Sequence, residues 1–347
     1  MPKVTDVQQL DPGALPFSKK VLNSPTGQDK WDSAFLERKS QVKDQTFTLK
    51  DGREIGYAID GDISSGIPVM AFHGGCMTKA YWLQKTSIEG VCLIMVDRAG
   101  YGGSSASPPK YTWKESVEDV VELADHLKIG KFIAVGHSMG AMLSTQLAAA
   151  LPDRVVAVGL FGCGTDPLHE KCGKEVKKLI VFPMFHPRTG CCGCLMRGSL
   201  KGMGKQMKLM DFSTFLKAEQ KSGPDRYAEF VADPFWVSAT LWSLHQGMTN
   251  EVAMERMLGT KEKDCDFDLF WNKWHFDIAS IKCPVFLVHG EGDHDVPLKV
   301  AQHNEQLIPG AKLEVIPGSS HTLVTGATPD FRVHLKKVIE ASGLSSQ

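Results

Sequence analysis

KFIAVGHSMGAMLSTQLAAA, residues 131–150, is the stretch on which the reading of this chain turns. An apolar run, Phe132 to Val135, meets Gly136-His137-Ser138-Met139-Gly140 and passes directly into an Ala/Leu-rich helical pattern. The pattern packs a strand, a very tight turn and a helix into one short segment. Such a turn needs glycine two residues before and two residues after Ser138, because side chains there would crowd the strand end against the helix start. Ser138 is then expected at the apex in a strained backbone conformation, its hydroxyl pointing outward and the helix N-terminus beneath it. A bare GxSxG pattern often arises by chance; the strand-turn-helix context makes this one informative.

Working outward, short apolar runs recur at Pro68–Phe72, Val91–Val96, Val155–Phe161, Pro284–His289 and Leu313–Ile316. Between them lie amphipathic helical patterns at Thr112–Leu127 and Asp330–Ala341. Thr46–Lys50 and Arg53–Asp60 flank Asp51-Gly52 and read as a β-hairpin. Near-continuous apolar strands alternating with helices predict a mostly parallel sheet covered on both faces. In such sheets ligands bind beyond the carboxyl ends of the strands. The Gly-rich strand endings His73-Gly74-Gly75, Asp97 to Ser104 and Gly136 to Gly140 all belong at that edge.

The chain has 347 residues, 42% hydrophobic and 23% charged, which suits one large α/β domain carrying an insertion. A net charge of −1 gives no reason to expect nucleic acid. Nine cysteines form an odd set, and the first thirty residues lack a signal-like apolar run, so reduced thiols are expected. No stretch approaches the about 18–20 apolar residues of a membrane-spanning helix. The expectation is a soluble, cytoplasmic protein. Its organisation reads as an N-terminal extension over 1–45, mobile or draped on the surface, with a short helix around Trp31–Lys39. A core over 46–164 and 283–347 and a largely helical cap over 165–282 follow, because a segment that long must carry structure of its own.

A serine hydroxyl is a poor nucleophile until a base takes its proton. His321, in Ser319-Ser320-His321 after the last apolar run, is the candidate base. The imidazole needs a carboxylate to fix its tautomer. Asp293 is favoured, with Asp295 two residues on and Asp166 after Val155–Phe161 as alternatives. The developing oxyanion needs two preorganised donors. The Met139 N–H comes with the turn, and Gly75 offers the second, with Cys76 in reserve for that donor.

His73-Gly74-Gly75, DRAGYGGS at 97–104, GHSMG at 136–140, GEGDHDVP at 290–297 and SSH at 319–321 together resemble the α/β-hydrolase superfamily. The resemblance covers roughly Thr46 to Ser342 apart from the cap, with the order Ser, Asp, His. It implies an α/β-hydrolase fold and a serine hydrolase of carboxylic esters that uses no cofactor and no metal. Ser138 argues against the branches with an aspartate nucleophile. Ala141 departs from the pattern where many relatives carry another glycine. Two other readings on the same fold are a ligand-binding receptor with little turnover and a related amide, carbon–carbon or acyl-transfer reaction.

The cap carries the substrate expectations. Lys171 to Lys221 holds eleven Lys/Arg against three Asp/Glu, interleaved with Met and Phe and with Cys191-Cys192-Gly193-Cys194. An amphipathic lid over an acyl pocket is the plainer reading. A basic surface docking on anionic membrane, with the cysteines acylated, is the sharper one. A zinc site from His186, Cys191, Cys192 and Cys194 lacks the usual ligand spacing. Phe235, Trp236, Leu241, Trp242, Phe270, Trp271, Trp274 and Phe276 form an aromatic set that either packs the cap helices or lines the cleft. The partner expected is a small-molecule ester or lipid.

Overall fold

A computed structural model of the chain describes residues 31–174, 176, 217, 219–249, 269, 274–322 and 330–345. Eight strands form one sheet: β1 (Asp44–Thr48), β2 (Glu54–Asp60), β3 (Ile67–Phe72), β4 (Val91–Val96), β5 (Phe132–His137), β6 (Val155–Phe161), β7 (Val285–Gly290) and β8 (Lys312–Ile316). Their spatial order is β1-β2-β4-β3-β5-β6-β7-β8. The pairs β1–β2 and β2–β4 are antiparallel, and every other neighbouring pair is parallel.

The parallel strands are apolar along their length because both faces are covered. In β3, Val69 and Ala71 join one buried cluster and Met70 and Phe72 the other, the alternation a pleated strand dictates. α2 (Trp113–His126) and α3 (Met139–Ala150) cover one face, and α7 (Asp330–Ser342) covers the other with Phe331, Leu335 and Val338. α2 begins where Thr112 and Glu115 form a reciprocal capping box, which satisfies amides left over at a helix start. α6 (Leu298–Leu307) links β7 to β8.

The hairpin forms as expected, with Thr48 opposite Glu54 and Leu49 N–H bonded to Arg53 O across the turn. β1 starts two residues earlier than the apolar pattern suggested. Asp44 and Gln45 extend the ladder opposite Ala58 and Tyr57, since backbone pairing on an exposed edge does not require apolar side chains.

The expectation of a surface-draped N-terminus is corrected from Trp31 onward. α1 (Ser33–Gln41) is docked: Phe35 is fully buried, and Arg38 forms a buried ion pair with Asp60 and donates its Nε–H to Gln84 O at 2.9 Å. Phe35 packs edge-on against Phe235 at 5.9 Å, and Trp31 against Trp242 at 5.1 Å. Those partners belong to the cap, where α4 (Pro224–Val231) and α5 (Pro234–Thr249) are described. α5 docks on the loop after β3: Ser243 Oγ accepts from Thr78 N–H at 2.8 Å and donates to Thr78 O at 2.9 Å. Phe235, Trp236 and Trp274 are buried members of the hydrophobic clusters, with Trp242 and Phe276 partly buried against them. Most of the basic Lys171–Lys221 segment, His186, the three clustered cysteines, Phe270 and Trp271 lie outside the described residues. Among the described residues, no helix is long and apolar enough to cross a membrane and no metal-ligating cluster occurs.

Candidate active site

The sheet order reverses around β3, which lies between β4 and β5. Loops leaving the carboxyl ends of β3 and β5 diverge there and open a crevice. Ser138 sits at the end of β5 with φ 52° and ψ −118°, a strained conformation for a residue with a side chain. The flanking glycines make the turn possible. A Cβ on Gly136 would lie 2.2 Å from Gly140 O, and one on Gly140 would lie 2.0 Å from Phe72 O. The Ser138 N–H donates to Phe161 O at 2.9 Å, which ties the turn to β6. Ser138 is partly buried and its hydroxyl makes no bond capping α3.

His321 and Asp293 are brought together from the loops after β8 and β7. His321 Nδ1 donates to Asp293 Oδ2 at 2.7 Å, with both side chains buried. The other carboxylate oxygen accepts from Asp295 N–H at 3.0 Å and Val296 N–H at 2.7 Å. Burial alone would push the Asp293 carboxyl up, but the adjoining His321 and His289 rings and the backbone donors hold it below the usual carboxylate range. Burial would likewise lower His321, and the facing Asp293 carboxylate overrides it, raising the imidazole to about 9.

Of the three carboxylates read as candidates, only Asp293 bonds the imidazole. Asp295 is exposed, and its backbone supports Asp293. Asp166 is buried elsewhere, accepts from Leu168 N–H at 2.8 Å, and is raised by that burial.

Ser138 and His321 reach the same sheet edge without sharing a hydrogen bond among the described contacts. His321 rests over Gly162 at the end of β6, where a Cβ would lie 2.9 Å from its Cε1. His137, the residue before the serine, stands 4.8 Å from His321 ring to ring and donates Nε2–H to His321 O at 3.0 Å. Burial pushes His137 down to about 3, so its ring is neutral and can serve as a fixed donor. Sequence reading missed this role. The His-Ser adjacency was visible, but that the His137 ring turns back to the His321 carbonyl is a tertiary fact. His289 was missed for the same reason: its Nε2–H donates to Val296 O at 2.7 Å and lies 3.3 Å from Asp293 Oδ2.

Residues 74–75 meet the elbow directly. A Cβ on Gly74 would lie 3.2 Å from Ser138 Cβ, and one on Gly75 would lie 3.9 Å from Met139 Cγ. Arg98, from the DRAG loop after β4, locks this segment: its Nε–H donates to His73 O at 2.9 Å and its guanidinium to Gly74 O at 3.2 Å. No peptide bond here is cis. In a trans peptide the C=O and the next N–H point in opposite directions. Pinning Gly74 O on Arg98 therefore turns the Gly75 N–H away from Arg98. Cys76, the reserve donor, has φ 57° and packs its carbonyl against Gly247 of α5.

Comparison with known proteins places the fold. A non-heme haloperoxidase of Rhodococcus erythropolis is 24% identical over 302 residues, spanning 85% of this chain and 98% of the relative. A bifunctional esterase/perhydrolase of Acinetobacter calcoaceticus is 24% identical over 292 residues, 80% of this chain and 93% of the relative. The solved structure of a thermophilic esterase from Thermogutta terrifontis superposes with a TM-score of 0.59 at 17% identity, over 87% of this chain and all of that one. The sequence model of the alpha/beta hydrolase family matches residues 69–333, which include Ser138, Asp293 and His321. On that match, and with the sheet and elbow just described, the chain belongs to the alpha/beta hydrolase family.

Proposed function

We propose that the protein is a serine hydrolase of carboxylic esters or closely related acyl compounds, with Ser138 as nucleophile, His321 as base and Asp293 as its acid. The observation that carries the reading is the buried 2.7 Å bond from His321 Nδ1 to Asp293 Oδ2, at the sheet edge where Ser138 occupies its strained turn. Burying an ion pair carries a desolvation cost that only good geometry and further hydrogen bonds offset. Such a pair at the same sheet edge as Ser138 supports turnover over the receptor reading. The esterase and esterase/perhydrolase among the similar proteins support the same class.

With Nδ1–H held by Asp293, the imidazole presents Nε2 to the substrate side. As Ser138 Oγ attacks the acyl carbonyl, Nε2 takes the hydroxyl proton. It then returns that proton to the leaving alcohol as the tetrahedral intermediate collapses. The oxyanion is received by the N–H groups of Met139 and Gly75, donors fixed before reaction begins. Water, activated by the same imidazole, then releases the acyl group. The Ser138–His321 hydrogen bond forms in the substrate complex, where catalytic hydrogen bonds commonly tighten.

A series of p-nitrophenyl esters from acetate to palmitate tests the reading and locates the acyl preference. Turnover by the wild-type chain and its loss in Ser138→Ala, on the order of a million-fold in kcat, are expected. Wild-type turnover that survives in Ser138→Ala would remove the proposal.

A further inference from the structure

The cap meets the core at residues 219–226, backbone on backbone. A Cβ on Gly223 would lie 2.4 Å from Ser320 N, and one on Gly292 would lie 1.7 Å from Ser222 O. Arg226 N–H donates to Gly318 O at 3.2 Å, and Gly292 N–H to Ser319 O at 2.9 Å. This short cap segment therefore lies across both loops of the candidate site, the one carrying Asp293 and the one carrying His321.

Glu219 stands at that junction, 7% exposed. Its carboxylate accepts from the Ser320 hydroxyl, and the Thr322 side chain faces it, so its surroundings include the residues on either side of His321. Burying a carboxylate costs several kcal/mol unless its partners compensate. Here the groups facing it bracket one histidine. The charged groups facing Glu219 across the junction are the His321 imidazole and the exposed Asp295. Asp293 lies behind His321 on Nδ1, Asp225 packs against Gly318, and Glu291 accepts from Gly318 N–H at 3.4 Å. Arg226 on the same segment pairs with Glu229 at 2.6 Å.

We propose that Glu219 is a positioning residue acting through His321: the cap uses this one carboxylate to bond Ser320, the residue before the histidine, and to hold a second anion beside the imidazole. The inference rests on the triad reading of Ser138, Asp293 and His321. It assigns the cap a part in the chemistry besides enclosing substrate. Burial raises the Glu219 carboxyl to about 7, against the Ser320 bond and the His321 charge that favour its ionised form, so it is ionised where His321 must lose its proton.

Full-length Glu219→Gln and Glu219→Ala decide this. Ester hydrolysis and the rate of Ser138 labelling by a fluorophosphonate are measured against pH for each and for the wild type. Glutamine can keep the Ser320 bond, accepting from its hydroxyl, but carries no charge. In Glu219→Gln the acidic limb of kcat/KM and of labelling is expected to move to lower pH by about half a unit or more, because the imidazole loses a stabilising anion. In Glu219→Ala, kcat is expected to fall about ten- to a hundred-fold with a smaller change in KM, and glutamine to recover most of that loss. A limb that stays at the wild-type pH in Glu219→Gln, whether or not the rate falls, overturns the inference while leaving the triad intact. If alanine prevents folding, the glutamine limb alone decides. Absence of labelling in the wild type would remove the triad reading and this one together.

Discussion

At the residue scale, Ser138 is held where side-chain sterics disfavour it, at a cost of about 1–3 kcal/mol that the surrounding turn must absorb. Gly140 shows how little room remains, since any Cβ would fall on the Phe72 carbonyl, a backbone atom that cannot step aside. Gly140→Ala is expected to destabilise the fold by more than about 3 kcal/mol or to prevent folding. A thermal midpoint within a degree of wild type would contradict the close approach of β3 to α3. Asp293→Asn should leave the fold in place but let the imidazole take the wrong tautomer, with kcat falling on the order of 10⁴-fold. Asp166→Asn should leave ester hydrolysis near wild type, and steady-state kinetics on both variants separate the two carboxylates. Residue type and loop context sufficed to single out Ser138, His321, Asp293 and Gly75 as candidates, and the fold brings their loops to one sheet edge. His137, His289 and Glu219 were not readable, because their parts depend on which carbonyl or hydroxyl folding brings beside them.

At the scale of elements, strand and helix positions were legible because apolar periodicity reports burial, and burial here follows the two covered faces of the sheet. β3, β4, β6 and β7 appeared within a residue of their observed bounds for that reason, and β5 ran two residues past its apolar run. α1 was legible as a helix but not as part of the body. Its polar composition hides the fact that Phe35 and Arg38, three residues apart, share one face and reach an apolar cluster and Asp60 respectively. Removing one side of a buried ion pair leaves the other charge uncompensated. Arg38→Ala is therefore expected to cost about 3–5 kcal/mol in chemical denaturation. A loss below about 1 kcal/mol would return α1 to the status of a surface attachment.

At the scale of the whole molecule, the α/β-hydrolase architecture places loops from β3, β5, β7 and β8 at one edge, and the cap bears on two of them. The charges gathered there link stability to pH. His321 is raised from an unfolded value of about 6.5 to about 9, so the stability it contributes is complete below about 6.5 and lost as pH rises through 9. Glu219 is raised from about 4.3 unfolded to about 7, so its protonated form also favours the fold and that contribution fades as pH climbs to 7. Asp293 acts in the opposite sense: held below its unfolded value near 3.9, it supports the fold above that value and is lost in acid. Thermal midpoints are accordingly expected to decline between about pH 6.5 and 9, and to decline less in His321→Gln. Equal slopes in the two proteins would mean that the His321–Asp293 pair is not the source.

The central claim is that Ser138 is an activated nucleophile served by His321 and Asp293. Its most direct test is covalent labelling by a fluorophosphonate, followed by peptide mapping of the modified residue. One stoichiometric adduct on Ser138 is expected in the wild-type chain, none in Ser138→Ala, with labelling that slows as pH falls and His321 gains its proton. An adduct on any other residue, or a wild-type chain that stays unmodified across the pH range, would contradict it.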